Sequence, residues 1–450
     1  MMKKVQITGA ILIAAFSGCA AWHAAGIAGA QTASVGNVTQ RYEAVQKTDR
    51  VKNIKTNKKG TADLTENQYP VRKYDDQGIH YTLTYNGMLD EDGFDGMGWT
   101  IETFTQAYNE QGQPLYTDIV IPDEIDGIRV AGMWYGELFK DHKEIRSVHF
   151  GKNMVSVREN AFKGCTGLER VEFPEALVYI GSQAFSGCRN LEEVTLPEGL
   201  KEIDWGAFEN CRKIRKIVIP ESTDRIDGEV FQNCTSLEKV VFKSAWMKMY
   251  GGVFENTKWE KNCKKKGIPL ISNKGMLISA GGLSGNAVID GKKAVGGRKI
   301  QSVNRYAFVE SRNLHTLTIQ NIKRVEGLYT SRAIKKIVLK KIALLQGESI
   351  MDGSKTIVLD GIKKYIPENR VNSLVPHLKD NKGEVLFGSA DNIQNLYIRR
   401  FHLSKGAIQY LHYCFTRETQ GKSRKIMIHV PKKDLARYRR LSRCAVRKWK

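Results

Sequence analysis

The 450-residue chain contains no Cys-x-x-Cys pair and no Cys/His cluster at zinc spacing, which removes the usual structural zinc sites from consideration. Its eight cysteines are too sparse for a disulfide scaffold. It has no Gly-x-Ser-x-Gly elbow, no His-Glu-x-x-His, no P-loop and no carboxylate pair at a recognisable catalytic spacing, so the common enzyme chemistries find no support. No enzyme activity and no cofactor are expected. Beyond residue 30 there is no second long apolar run and no sorting motif, leaving attachment through the C-terminus without support. Charge is also missing locally. Between Asp75 and Glu144 fifteen acidic residues meet only Arg129, Lys140 and Lys143, whereas Lys422 to Lys450 sets twelve basic residues against Asp434. The net charge of +22 bears on association rather than fold.

What is present is a repeat. Phe139, Phe162, Phe185, Phe208, Phe231 and Phe254 recur every 23 residues, and Cys165, Cys188, Cys211 and Cys234 follow four of them at a fixed place. His142 and Thr257 hold that place in the outer units. Next comes an apolar triplet such as Leu168, Val171, Phe173 or Ile214, Ile217, Ile219, then Pro174, Pro197 or Pro220. The short alternating end of each triplet predicts a strand, and proline stops it because it cannot donate to a ladder. No single unit can bury an apolar face alone, so the period predicts a solenoid whose coils stack through one parallel sheet. The cysteines are then a buried ladder of small apolar side chains about 5 Å apart. A serine in place of Cys188 would bury a hydroxyl without an assured partner, at about 1–3 kcal/mol.

The pattern Ala-Phe-x-x-Cys-x-x-Leu-x-x-Val-x-Leu-Pro-x-x-Leu-x-x-Ile, as in Ala184 to Ile203, resembles the BspA-like leucine-rich repeat family. The resemblance implies a curved right-handed solenoid that is secreted or displayed on a cell surface and works by binding and adhesion. The fold expected is therefore an α/β-type leucine-rich repeat solenoid, with a parallel sheet on one face, short or irregular segments on the other, and degenerate C-terminal coils.

In chain order, residues 1–30 join Lys3 and Lys4 to an apolar run and a small-residue end, the pattern of an export signal. Ala28-Gly29-Ala30 suits ordinary cleavage, whereas Phe16-Ser17-Gly18-Cys19 resembles a lipobox; a lipid on Cys19 is the only membrane contact expected. Residues 31–73 are polar and aromatic-poor, a flexible stalk. Strand-like alternations over 74–118 predict a cap, and regular repeats run over 119–260. An inserted hairpin is expected within 261–303, with its turn at Asn273 to Gly275. Degenerate repeats of about 20 residues then run over 304–431, each coil one repeat unit. Residues 432–450 form a basic cap or tail, with helical spacing at Leu435, Tyr438 and Leu441 and Asp434 as N-cap. The Asp90 to Gly96 stretch alternates acidic residues as a calcium loop does, but Phe94 stands where an oxygen ligand belongs, so a solvated turn is expected and no metal site.

Side chains between the core residues of a strand point outward. That places Ser147 and His149, Arg170 and Glu172, Glu193 and Thr195, Lys216 and Val218, and Lys239 and Val241 on the sheet face. One column turns basic along the stack and the other turns apolar, a candidate seat for extracellular or host proteins. The same residues are also ordinary β-formers on a solvated face. Arg437, Arg439, Arg440, Arg443, Arg447 and Lys448, placed on an amphipathic helix, are candidate contacts for anionic wall polymer or acidic polysaccharide. Nucleic acid is not expected, since no recognition motif accompanies the charge and an export signal removes the chain from it. Besides the adhesin, two functions stay open: a structural envelope protein held to anionic polymer, and a hydrolase hidden in the cap.

Overall fold

The computed structural model describes residues 55–56, 62–63, 71–74, 78–85, 97–133, 136–347, 349–350, 353–366, 387–389, 393–401, 427–441 and 445–448. The export signal, the Asp90 to Gly96 stretch, Cys19, Cys414 and Cys444 lie outside them.

Each 23-residue coil turns twice through left-handed backbone, always at the same places. Glu137, Asn160, Gln183, Gly206, Glu229 and Gly252 have positive φ, and so do Asp141, Gly164, Gly187, Asn210, Asn233 and Asn256. The second set contains only Gly, Asn and Asp, the residues for which this region is least costly. At Gly164 a Cβ would meet Asp141 Oδ1 at 2.1 Å, so a side chain there would have to displace the Asp141 carboxylate as well as adopt positive φ. These turns aim the aromatic ring inward. Successive rings from Phe139 to Phe254 stack with centroids 4.7, 5.3, 5.3, 5.6 and 5.6 Å apart, their planes within 7° of parallel. All six are buried.

The cysteine ladder is buried as expected, with one correction to its chemistry. Each thiol points at the carbonyl of the aromatic 26 residues earlier: Cys165 Sγ to Phe139 O at 2.8 Å, Cys188 to Phe162 at 3.1 Å, Cys211 to Phe185 at 3.2 Å and Cys234 to Phe208 at 3.1 Å. A hydroxyl at Cys188 would therefore have an acceptor. Burial pushes all four thiols up, Cys234 to about 12.

The front strands form a parallel ladder through Asp118–Val120, Ser147–His149, Arg170–Glu172 and Glu193–Thr195. Lys216–Ile219 and Lys239–Phe242 pair separately, so the expected single sheet is divided. The bond that starts a front strand runs from Glu169 N to Arg146 O, from Glu192 N to Glu169 O and from Glu238 N to Arg215 O. Among the described residues it has no counterpart from Arg215 to Glu192. The back of the solenoid is made of short segments, as expected, and they are regular. Two-residue strands Ser156–Val157, Tyr179–Ile180, Glu202–Ile203, Arg225–Ile226 and Lys248–Met249 make an unbroken parallel ladder, which keeps the coils in step across the front break.

At the start, strands Val71–Tyr74, Ile79–Tyr85 and Met97–Phe104 pair antiparallel, and the last joins Ile128–Met133. Tyr81 and Trp99 are fully buried, and the Phe104 ring lies 4.9 Å from Phe139, so this sheet supplies the first ring of the aromatic stack. At the other end helix α1 (Lys258–Lys265) replaces a front strand. Thr257 occupies the cysteine place and caps it, accepting from Glu260 N at 3.1 Å and donating to Phe254 O at 2.8 Å. Trp259 packs edge-on to Phe254 at 5.2 Å and closes the stack. The sequence pattern over 258–262 gave no warning of this helix.

The hairpin Leu270–Ile271 to Met276–Ser279 forms at the expected turn, but it belongs to the stack rather than interrupting it. Met276–Ser279 pairs parallel with Ser302–Val303 and opens a second back ladder through Arg324–Glu326, Leu344–Gln346 and Lys364–Ile366. Alternation puts Met276 and Ile278 in the first hydrophobic core and Leu277 in the second, so one strand partitions both. The second front ladder likewise begins at Gly285–Asp290, earlier than the resumption expected near 304. It continues through Leu314–Gln320, Lys336–Lys340, Thr356–Asp360, Asn395–Arg399, Met427–Val430 and Ala445–Lys448. Phe387–Ser389 pairs instead with Ser349–Ile350, beside this ladder. The basic end is half as helical as expected. Helix α2 spans Leu435–Leu441, preceded by a 3-10 turn, Lys432–Asp434, that takes in the expected cap residue.

Phe185 touches Phe162 and Phe208 face to face and Phe173 edge-on, so Phe185→Ala is expected to cost about 3–5 kcal/mol. Cys188→Ser keeps a donor opposite Phe162 O and should cost no more than about 1 kcal/mol. Urea unfolding of both variants checks this order; equal midpoints would mean that the rings do not hold the coils.

Candidate functional site

The expected outward columns exist. Ser147, Arg170 and Glu193 are in register, as are His149, Glu172 and Thr195, and Lys216 pairs with Lys239 and Val218 with Val241. His149, Arg170, Glu172, Glu193, Thr195, Lys216 and Lys239 are exposed, while Val218 and Val241 are half-buried. The front break at Thr195 separates the mixed part of the face from the lysine and valine part.

Much of this face neutralises itself across coils. His149 Nδ1 lies 2.8 Å from Glu172 Oε2, and Arg170 reaches the other oxygen of the same carboxylate at 3.6 Å. Beside them run Arg146–Glu169 at 3.2 Å, Arg215–Glu192 at 3.9 Å and Lys258–Glu238 at 2.7 Å. The hydrogen bond from His149 holds the Glu172 carboxyl below its ordinary range, and that from Lys258 does so for Glu238. Lys216 and Lys239, by contrast, meet as like charges in register, a mildly unfavourable arrangement for the free protein.

The basic end divides between two elements. Arg437 is half-buried and Arg439 and Arg440 are exposed on α2, where Tyr438 turns into the core. Arg443 lies outside the described residues. Arg447 and Lys448 are exposed, but on the strand Ala445–Lys448, not on a helix. Parallel pairing with Met427–Val430 and burial of Val446 override the helical spacing there. The amphipathic helix expected to carry all six cations is thus shorter, and its charge continues onto the edge of the second sheet.

The second front ladder has outward columns that sequence reasoning passed over. Val288, Thr318, Val338 and Val358 are in register, and the row runs on through Tyr397, His429 and Arg447. Tyr397 and His429 stack with centroids 4.1 Å apart and planes 8° from parallel, while His429 Nε2 lies 3.1 Å from Asn395 Oδ1. Burial and the neighbouring Arg447 lower the His429 pKa from its usual value. The signal was available in Thr316-Leu317-Thr318-Ile319, Lys336-Ile337-Val338-Leu339 and Thr356-Ile357-Val358-Leu359, where the residue between two core positions recurs every 20 residues.

Two carboxylates flank that row, both buried. Asp290 accepts from Gln320 Nε2 at 2.9 Å, Asn321 Nδ2 at 2.8 Å and Lys292 N at 3.0 Å. These bonds, Asn321 foremost, lower its pKa to about 2. Asp360 takes Arg399 and Arg400 at 2.8 Å each; burial opposes ionisation there, but the two guanidinium groups outweigh it and the pKa falls.

Where the halves meet, a cavity of about 50 Å³ is lined by Tyr250, Phe254, Glu255, Glu260, Tyr306 and Glu310, among others. Lys264 Nζ already lies 2.9 Å from Glu260 and 3.6 Å from Glu310. Burial raises the Glu310 pKa, with Glu255 and Glu260 adding to it and Lys264 opposing. Its size and its own lysine make it part of the joint rather than a substrate pocket. Among the described residues no three His, Cys, Asp or Glu side chains converge to hold a metal.

Residues 135–261 match the family model of the BspA type leucine rich repeat region in six copies, in agreement with the six aromatic positions. No curated protein matches the chain. Among solved structures the chain is similar to the leucine rich repeat protein of T. pallidum, at 21% identity, covering 43% of this chain and 95% of that one with a TM-score of 0.32. It is also similar to a leucine rich cell surface protein from Faecalibacterium prausnitzii A2-165, at 16% identity, covering 73% and 89% with a TM-score of 0.34. A third is the pneumococcal vaccine antigen PcpA, at 12% identity, covering 84% and 99% with a TM-score of 0.30.

Asp290 is ionised in the folded chain well below its unfolded range, so its stabilisation is present above about pH 4 and lost as pH falls toward 2. Asp290→Asn presents an amide N–H₂ to donors that need an acceptor. The variant should melt lower than the parent at pH 7, and the gap should close as pH falls from 4 to 2. A gap of constant size, read by circular dichroism, would show that the charge is not what these bonds stabilise.

Proposed function

From a chain whose residues 135–261 are a BspA-type leucine-rich repeat region, we propose a secreted or cell-surface protein that binds proteins of a host or neighbouring cell noncovalently, as an adhesin or colonisation factor. The observation that carries this reading is the division of labour within each strand. The inward residues are consumed by two cores, and the outward ones form long in-register columns. A surface of that kind presents shape and charge over many coils. Lys3, Lys4 and the apolar run after them support export.

A second reading has its own observation. Arg439 and Arg440 on α2 and Arg447 and Lys448 on the last strand are all exposed, a compact cationic end suited to anionic wall polymer. In that case the solenoid is a spacer in an envelope or matrix.

Salt separates the two. The full-length protein is incubated with extracellular-matrix proteins, glycans and purified wall polymers at low and physiological salt. The adhesin predicts at least one protein ligand retained at physiological salt. Binding confined to anionic polymers and abolished by salt would replace it with the structural role.

A further inference from the structure

We propose that the front sheet of the second half, the seven strands from Gly285–Asp290 to Ala445–Lys448, is a docking surface for an acidic protein. The proposal rests on the protein-binding reading above and goes further, to the face that binds and the charge of what it takes.

The row from Val288 to His429 is apolar or aromatic except for Thr318, and it lies on six of the seven strands of the ladder, in parallel register. At one strand spacing per step it is about 24 Å long, approaching the width of a standard protein interface. Val288 is 58% exposed, and Val338, Val358 and Tyr397 are half-buried, on the side of the strands that faces away from the core. The Tyr397–His429 stack at 4.1 Å gives the row a rigid aromatic end, the kind of group that anchors interfaces with little entropy to lose.

Around this row the charge is of one sign. The seven strands carry Lys336, Lys340, Arg399, Arg447 and Lys448 against Asp290 and Asp360 alone. Both aspartates are buried and bonded within the sheet, so neither projects negative charge outward. Lys335 and Lys355, exposed just before their strands, extend the basic margin. The first half differs in part: Arg146, Arg170, Arg215 and Lys258 meet Glu169, Glu172, Glu192 and Glu238, while Lys216 and Lys239 stand in register with each other. Here Asp360 takes Arg399, and among the described residues no ion pair reaches Lys336, Lys340, Arg447 or Lys448, so their complement comes from outside.

The apolar row decides the class of partner. A polyanion without apolar groups would satisfy the lysines and leave Val338 and Val358 wet, whereas a protein presenting apolar side chains ringed by Asp and Glu satisfies both. A flat β-branched row offers no cleft for a small molecule.

The test uses full-length protein immobilised against an array of purified extracellular proteins graded by isoelectric point, with poly-glutamate and heparin as charge-only probes. Three variants are compared at physiological salt: K336E/K340E, Val338→Ser, and the back-ladder control K201E/K248E, whose lysines are exposed away from both front faces, each checked for an unchanged melting curve. Acidic proteins should dominate the bound set. Their affinity should fall at least tenfold in K336E/K340E and several-fold in Val338→Ser, and stay within twofold in the control. Equal binding of heparin or poly-glutamate with no effect of Val338→Ser would overturn the proposal in favour of a polyanion site. So would loss in the control variant alone, or sedimentation showing that the bound partner is a second copy of the chain. Should no protein bind at all, the wider protein-binding reading fails with it; proteins bound through another face sink only this inference.

Discussion

Everything in the regular half depends on one aromatic ring resting on the next. A coil of 23 residues with three-residue front strands and two-residue back strands has too few ladder bonds to hold itself. The ring stack adds about 0.5–1.5 kcal/mol per pair beyond burial, repeated five times between Phe139 and Phe254. It also sets the tolerance of the coil: rings kept within 7° of parallel require the same backbone path each time. The two left-handed turn positions enforce that path, and the thiol after the second of them seals the turn by donating to the carbonyl of the coil before. The front ladder breaks after Thr195 while the stack continues from Phe185 to Phe208 without widening. The rings, and not the front sheet, are therefore the spine.

A stack of this kind needs ends, and the chain builds each from what a coil lacks. The cap contributes Phe104 at one end. At the other, Trp259 lies across Phe254 because Thr257 starts a helix where a strand would have followed. Asn273 then closes the exposed edge of Lys239–Phe242: its side-chain amide accepts from Phe242 N at 2.8 Å and donates to Phe242 O at 3.0 Å, standing in for the peptide of an absent strand. On the back, Arg225 lies over Tyr250, Tyr250 against Tyr306 and Tyr306 against Tyr329. Arg324 covers Trp246 at 3.8 Å. These contacts splice two hydrophobic cores that share the strands Leu270–Ile271 and Met276–Ser279.

The legible part of the sequence was what the period forces: Phe185, Cys188, Val194 and Pro197 announce coil, turn, strand and stop with no structure in hand. Local spacing misled where tertiary pairing outbid it. Arg447 sits at helical spacing from Arg440 and Arg443 yet belongs to a strand, because Val446 is buried in the core and its backbone continues a ladder already six strands wide. The helix at Lys258 was silent because its capping threonine also fits the repeat position that cysteine fills. The second front face escaped because its coils had lost the Ala-Phe and Cys landmarks, so attention stayed on the regular half.

That misdirection has a physical content. In the regular half selection for stacking leaves the outward positions adjacent to their equivalents 23 residues away, and neighbours at about 5 Å spacing are stable when they alternate in sign. Arg146 with Glu169 and Glu192 with Arg215 follow that rule and so cancel, while Glu238 is paired by Lys258 of the closing helix. In the second half the front strands lengthen from three residues to five and bond along more of their length, and there Lys336 stands in register with Thr316 and Thr356 rather than with a carboxylate. The longer ladder therefore frees its surface from the task of holding the coils together, and a surface so freed is where a partner's charge has most to gain.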